Sequence, residues 1–136
     1  MSNALYHEAL VAKARSAAGK GRLADAQASA RLDNPLCGDR VTIDLNLADG
    51  RITQVGHEVR GCLLCEAAAA TIAELAPGKS PAEARDLAAA VTRMMKDSIA
   101  PAERALDIFS PVIAAKSRRE CVMLPFGALA KALDGL

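Results

Sequence analysis

The sequence predicts an α+β domain, a small antiparallel β-sheet of about three strands packed against several α-helices. Three observations carry this. Residues 41–47 alternate, with Val41, Ile43, Leu45 and Leu47 apolar and Thr42, Asp44 and Asn46 polar, which is the period-two pattern of a half-buried strand. The run ends at Ala48-Asp49-Gly50, a hairpin turn signal, and a second strand-like stretch returns from Ile52 to Val59. Beyond Gly61 the period-two pattern gives way to alanine-rich segments with helix start and stop signals.

The elements follow in order. Ser2-Asn3 can cap a first helix that carries Leu5, Leu10 and Val11 and runs to about Ala18, where "GKGR" at 19–22 breaks it. Residues 25–32 fit either a short strand or a continued helix. "DNPLCGD" at 33–39 is a loop by composition, since Asn-Pro starts turns and Gly38 permits a tight backbone. After the hairpin, a helix spans about Leu63 to Ala76 and stops at Pro77-Gly78. The next begins with Ser80 as N-cap, Pro81 at the first helical position and Glu83 completing a capping box. Residues 97–117, with Pro101 and Pro111, are mixed. A last helix runs from about Arg118 to Leu133, and Pro125 either kinks it or marks its start. No repeat or linker divides the chain, so residues 1–136 are expected to form one domain.

Composition excludes several classes of function. The 136 residues carry a net charge of +1, with 17 basic and 16 acidic side chains, and aromatics are 2%. Nothing there forms a basic footprint for nucleic acid or a set of rings for bases to stack on. No apolar run approaches the roughly 20 residues that a membrane span needs. "MSNALYHEAL" lacks a basic region followed by an apolar stretch, so the expected location is cytoplasmic. Thiols stay reduced there, which directs the four cysteines toward metal or catalysis rather than disulfides.

Cys37 lies in the loop before the first hairpin strand, Cys62 and Cys65 where a strand becomes a helix, and Cys121 near the start of the last helix. A helix N-terminus favours the thiolate, and Cys62 is placed for that. Three readings of the cysteines compete. The first is a Cys-x-x-Cys redox pair at 62 and 65, although the preceding strand belongs to a hairpin and not to a βαβ unit. The second is a structural zinc site, although spacings of 25, 28 and 84 from Cys37 do not form paired knuckles. The third is a centre that holds metal for use.

Three motifs in order then resemble a known family. "NPLCGD" at 34–39 resembles N-P-x-C-G-D. "GCLLCEAAAATIAEL" at 61–75 resembles G-C-x-I-S-x-A-S, and "RRECVMLPFGALAKAL" at 118–133 resembles R-x-x-C-x-x-L-x-W-x-A-L. "LY" at 5–6 and "DGRI" at 49–52 add weaker matches. The chain is identified as a member of the U-type iron–sulfur scaffold family, which comprises IscU, SufU and the N-terminal part of NifU. The resemblance implies a SufE/NifU-like fold. It leans toward SufU. Cys121 follows Cys62 by 59 positions, Glu120 stands where IscU has a histidine, Arg118 matches SufU-like members, and "LPPVK" is absent.

The resemblance implies a ligand set of Cys37, Asp39, Cys62 and Cys121, holding a transient [2Fe–2S] cluster or Zn²⁺. It implies sulfur arriving as persulfide on Cys121 from a cysteine desulfurase, apo iron–sulfur proteins as recipients, and a scaffold rather than a stand-alone enzyme. The alternatives are a zinc-dependent sulfurtransferase partner that holds no cluster, and a thiol redox protein using Cys62 and Cys65. Cys65 replaces the family's serine and reads as a fourth thiol near the site, a spare sulfur acceptor or a passive substitution. Val59 and Pro125-Phe126 also depart from the pattern. Among other candidates, His57 reads as a core or surface residue, His7 as solvated, Met94-Met95 as packing, and Glu83, Arg85 and Asp86 as a solvated face.

Overall fold

The computed structural model describes residues 8–136. The Ser2-Asn3 cap, Leu5-Tyr6 and His7 lie outside the described residues. The helices are α1 (Glu8–Ser16), α2 (Leu63–Leu75), α3 (Pro81–Asp97) and α4 (Arg119–Asp134), and the strands are β1 (Ala28–Asn34), β2 (Asp39–Ala48) and β3 (Arg51–Arg60). Two 3₁₀ segments, Arg104–Ala114 and Lys116–Arg118, fill the mixed stretch before α4. The architecture is α+β, as the alternation and the caps predicted. Residues 28–34 resolve as strand.

The sheet is antiparallel in the order β1-β2-β3. β2 is central, with Ile43 opposite Ala30 on one side and His57 on the other. Val41, Ile43 and Leu45 are fully buried and turn toward α2 and α4, which pack on this face. The other face is less exposed than alternation suggests. Asp44 is 0% exposed because the segment after α1 crosses it. Its carboxylate accepts from Arg22 Nε at 2.7 Å, Leu23 N at 3.0 Å and Ser29 Oγ at 2.5 Å. Gly56 makes the crossing possible, since a Cβ there would sit 2.6 Å from the Gly21 carbonyl. The same segment covers the free edge of β3, where His57 N donates to the Gly21 carbonyl at 2.9 Å and Gly21 N to the His57 carbonyl at 2.8 Å. An uncovered strand edge is a pairing liability.

α2 is buried on nearly every side, with Ala67, Ala68, Ala69 and Ala70 all at 0% exposure. Alanine lets α1, β3 and α4 approach the helix closely. At α3 the capping box forms as the sequence indicates: Glu83 N donates to Ser80 Oγ at 3.2 Å and Ser80 N to Glu83 Oε1 at 2.9 Å. Arg51 adds an ion pair to Glu83 at 3.1 Å, so Glu83 does more than face solvent. Met94 and Met95 are core residues, alongside Phe109 and Phe126. His57 is buried and its ring Nε2 lies 2.7 Å from the Ala18 carbonyl.

α4 begins at Arg119, whose Nε donates to the Ile113 carbonyl at 2.7 Å. Pro125 lies inside the helix and is buried; it has no N–H to return to the Cys121 carbonyl one turn earlier.

Burial pushes the Asp44 pKa up, but the hydrogen bonds from Arg22, Ser29 and Leu23 outweigh it and hold the group below the usual carboxylate value. Its contribution is therefore complete above the unfolded carboxylate pKa and fades as pH falls through the depressed folded value. Asp44→Asn is expected to cost about 2 kcal/mol at pH 7, since three donors lose a fully buried charged acceptor. Urea unfolding as a function of pH checks this: the gap between wild type and variant should close in acid and persist at neutral pH.

Candidate metal centre

The centre forms where the sheet ends and two helices begin. The turn before β2 closes with Gly38 N donating to the Asn34 carbonyl at 2.8 Å and Leu36 N to Asn34 Oδ1 at 3.1 Å. Gly38 has φ +77°, a conformation that suits glycine. Asp39 then opens β2 and shares the inward face of Val41 and Ile43, because strand residues two apart point the same way. Across the sheet, Arg40 pairs with Arg60, which brings Asp39 beside Gly61. A Cβ on Gly61 would stand 3.0 Å from Asp39 Cγ and 3.0 Å from Oδ1. Glycine is therefore what lets the carboxylate lie against the chain at this corner.

Cys62 follows as the N-cap of α2, in extended backbone at φ −79°, ψ 172°. Cys65 is the third residue of that helix and Cys121 the third of α4. One ligand atom from each of Asp39, Cys62, Cys65 and Cys121 lies within 4.8 Å of all the others. The Cys65 thiol donates to Asp39 Oδ2 at 3.3 Å and the Cys121 thiol at 3.7 Å. Asp39 is 8% exposed, Cys121 3% and Cys65 0%, while Cys62 is half-buried. Asp39 also lines a surface cleft of about 230 Å³ with Gly38, Arg40 and Arg60.

Three thiols this close do not ionise alike. The Cys62 pKa is driven strongly down, first by the hydrogen bond from Cys121 and then by that from Cys65, with the N–H groups of Cys65 and Leu64 adding to it against the cost of burial. No full cap hydrogen bond to its side chain forms. Cys65 is pushed up by its hydrogen bonds to Cys121 and Cys62 and by burial. Cys121 is also pushed up, chiefly because its protonated thiol is favoured by a hydrogen bond to Cys62. Of the three thiols, Cys62 is thus the one whose thiolate form is favoured, at a helix N-terminus where the positive end of the dipole adds to the effect. Three sulfurs and one carboxylate oxygen suit a tetrahedral Zn²⁺, and thiolates are the usual holders of iron–sulfur clusters.

Of the four expected ligands, the structure brings together Asp39, Cys62 and Cys121. Cys37 is exposed and stands outside this group, beside Leu36 at 95% exposure. The left-handed Gly38 interrupts the alternation that would otherwise set Cys37 on the face of Asp39. Cys65, read from the sequence only as a departure from a family serine, is fully inside the centre. The signal for it was present: residues at N-cap and N3 meet at a helix start, as Ser80 and Glu83 do in α3, and Cys62 and Cys65 have that relation in α2.

The family model for the NifU-like N-terminal domain matches residues 5–134. The chain belongs to the NifU-like N-terminal domain family. Among curated relatives, the iron–sulfur cluster assembly scaffold protein IscU of Streptococcus pyogenes serotype M1 is 26% identical over 112 residues, covering 80% of this chain and 70% of that protein. IscU 1 of Archaeoglobus fulgidus is 28% identical over 113 residues, covering 83% and 64%. The chain thus spans about two thirds of the length of these relatives. Among solved structures, a NifU-like protein (N-terminal) from Brucella abortus superposes with a TM-score of 0.91 at 29% identity, covering 98% of this chain and 94% of that one. FiSufU from Fervidobacterium islandicum AW-1 gives 0.87 at 26% identity, covering 98% and 99%. The family and fold expected from the three motifs are those found.

The Gly61 corner is directly testable. Gly61→Ala should displace the Asp39 carboxylate and weaken Zn²⁺ binding about 10- to 100-fold, the usual consequence of disturbing a ligand's support, while overpacking costs about 1–3 kcal/mol. Chelator competition and urea unfolding measure the two effects. Unchanged zinc affinity would remove Asp39 from the ligand set.

Proposed function

We propose that this chain is a scaffold on which an iron–sulfur cluster is assembled and from which it is passed to apo-proteins. The observation that carries the reading is the convergence of Asp39 with Cys62, Cys65 and Cys121 at one corner of a NifU-like N-terminal domain. The relatives named as cluster assembly scaffolds support it. Asp39, Cys62 and Cys121, shared by the sequence motifs and the geometry, are the core of the holding set. The cluster, [2Fe–2S] in this reading, is cargo, and Zn²⁺ occupies the centre between loads. Soft thiolates suit both, while a carboxylate is a hard ligand and the weak point of the set for an iron–sulfur cluster. A site of this kind holds a cluster and still gives it up. The chain acts with partners and not as a stand-alone enzyme, and in this reading it works in the reducing cytoplasm. Among the described residues, no helix is long and apolar enough to cross a membrane.

Sulfur comes from a cysteine desulfurase that carries it as a persulfide. Cys121, the acceptor implied by the family motifs, is 3% exposed, whereas Cys37 is exposed. The Cys37 thiolate attacks the outer sulfur of the donor persulfide, the donor's S–S bond breaks, and the donor cysteine leaves as thiolate. The same exchange then moves the sulfur to Cys121, and Cys37 is released as thiolate.

Two experiments test this reading. After anaerobic reconstitution, absorption spectra and metal analysis should show a bound cluster, and Asp39→Cys should slow its transfer to an apo-ferredoxin about tenfold or more by replacing the hard ligand with a fourth thiolate. Transfer that is unchanged or faster in the variant counts against the carboxylate as the releasing ligand. In the second, the chain is incubated with a desulfurase and cysteine and its peptides are analysed by mass spectrometry. Added sulfur should appear on Cys37 and Cys121, and Cys37→Ser should abolish it at Cys121. Full labelling of Cys121 in that variant would show that sulfur reaches it directly.

A further inference from the structure

We infer that Cys65 is the fourth ligand of the resident metal, so that Asp39, Cys62, Cys65 and Cys121 form a closed set and Cys37 is not needed to hold the ion. This deepens the metal-binding part of the scaffold reading, on which it rests, and does not depend on cluster assembly.

Three observations support it. First, the distances suit one ion. With Zn–S near 2.3 Å and Zn–O near 2.1 Å, a tetrahedral site has S···O edges of about 3.6 Å and S···S edges of about 3.8 Å. The two S···O distances to Asp39 Oδ2 are 3.3 Å from Cys65 and 3.7 Å from Cys121, on either side of that value. No pair of ligand atoms in the group is more than 4.8 Å apart, so closing on an ion takes shifts of about 1 Å and no rebuilding of the backbone.

Second, the local backbone enforces the pairing. Cys62 is N-cap and Cys65 is N3 of α2, the two positions whose side chains meet across the first turn of a helix. Any ion bound by Cys62 on the inner side of that turn is within reach of Cys65. The Cys62 backbone is extended and α2 is packed on several sides by other elements, so this geometry is fixed before a metal arrives.

Third, the alternative explanation for Cys65 fails on its orientation. A cysteine that only fills apolar space behaves as a small hydrophobe. The Cys65 sulfur instead lies beside a carboxylate oxygen and two other sulfurs at a polar corner of the core. Leu64, Ala67 and Ala68 supply the apolar packing of the same helix. Cys37 has the opposite setting, in an exposed turn outside this group.

The test uses Co²⁺ as the probe, loaded anaerobically into the reduced full-length chain and into Cys65→Ser, Cys65→Ala and Cys37→Ser. The thiolate-to-cobalt charge-transfer band reports how many sulfurs are bound, and chelator competition reports affinity. Cys65→Ser and Cys65→Ala should lose about a third of the band, as expected when one of three thiolates leaves a tetrahedral site, and bind at least about tenfold more weakly. Cys37→Ser should keep both the band and the affinity. Two cysteine-65 variants, with circular dichroism of each, separate ligand loss from misfolding, since serine and alanine are both small enough for the site. The full wild-type band in the Cys65 variants, with loss in Cys37→Ser, would overturn the inference and leave the scaffold reading standing. A wild-type chain that binds no Co²⁺ would overturn both.

Discussion

The register between β2 and β3 is the constraint on which the rest depends. Arg40 faces Arg60 and Val41 faces Val59, so Asp39 meets Gly61 and the chain enters α2 at Cys62. Side chains in a strand alternate, and a slip of one residue would turn Asp39 out to solvent together with the core residues Val41, Ile43 and Leu45. The hydrophobic pattern that builds the sheet therefore also aims the carboxylate. The same positions that are worth most to the fold decide where the only carboxylate of the metal group lies.

The helices complete what the register begins. α2 carries four consecutive buried alanines, and a helix that is apolar over most of its surface belongs largely inside a core. Small side chains allow α1 and α4 to close on it from different directions. α4 is then anchored at its start by Arg119 on the Ile113 carbonyl, along its length by Gly127 against Leu32, and at its end by Arg85 Nη2 donating to the Leu133 carbonyl at 2.9 Å. These contacts fix the third residue of α4, Cys121, over the N-terminus of α2. The centre is thus assembled from three chain segments whose positions are set by packing elsewhere.

The electrostatic arrangement follows from the same packing. Burial alone would keep all three thiols protonated. Placing one of them at a helix start, beside two other thiols and the N–H groups of Cys65 and Leu64, holds the Cys62 pKa down. Asp39 adds an oxygen that accepts from both remaining thiols. The centre is therefore prepared for a cation, because its ligand atoms already converge and the thiolate form is favoured at Cys62.

Much of this was legible in the sequence. Period-two alternation over 41–47, the Asp49-Gly50 turn and the Ser80/Glu83 capping box each carry a local physical signal, and each formed where that signal stands. The three spaced motifs identified the family and three members of the metal group: Asp39, Cys62 and Cys121. Other features were decided only by tertiary structure. Asp44 reads as a solvent-facing strand residue until the segment around Arg22 crosses the sheet and supplies its donors. Residues 28–34 have no strong period of their own and become a strand because the edge of β2 offers partners. Pro125 stays inside α4 because packing on β1, β2, α2 and α3 outweighs the missing hydrogen bond. The motif implies Cys37 as a ligand, whereas the structure groups Cys65 with Asp39, Cys62 and Cys121 and leaves Cys37 exposed. A motif records which residue types occur at which spacing, whereas ligation depends on direction. Cys37 stands in an exposed turn, and the first turn of a buried helix sets Cys65 beside Cys62.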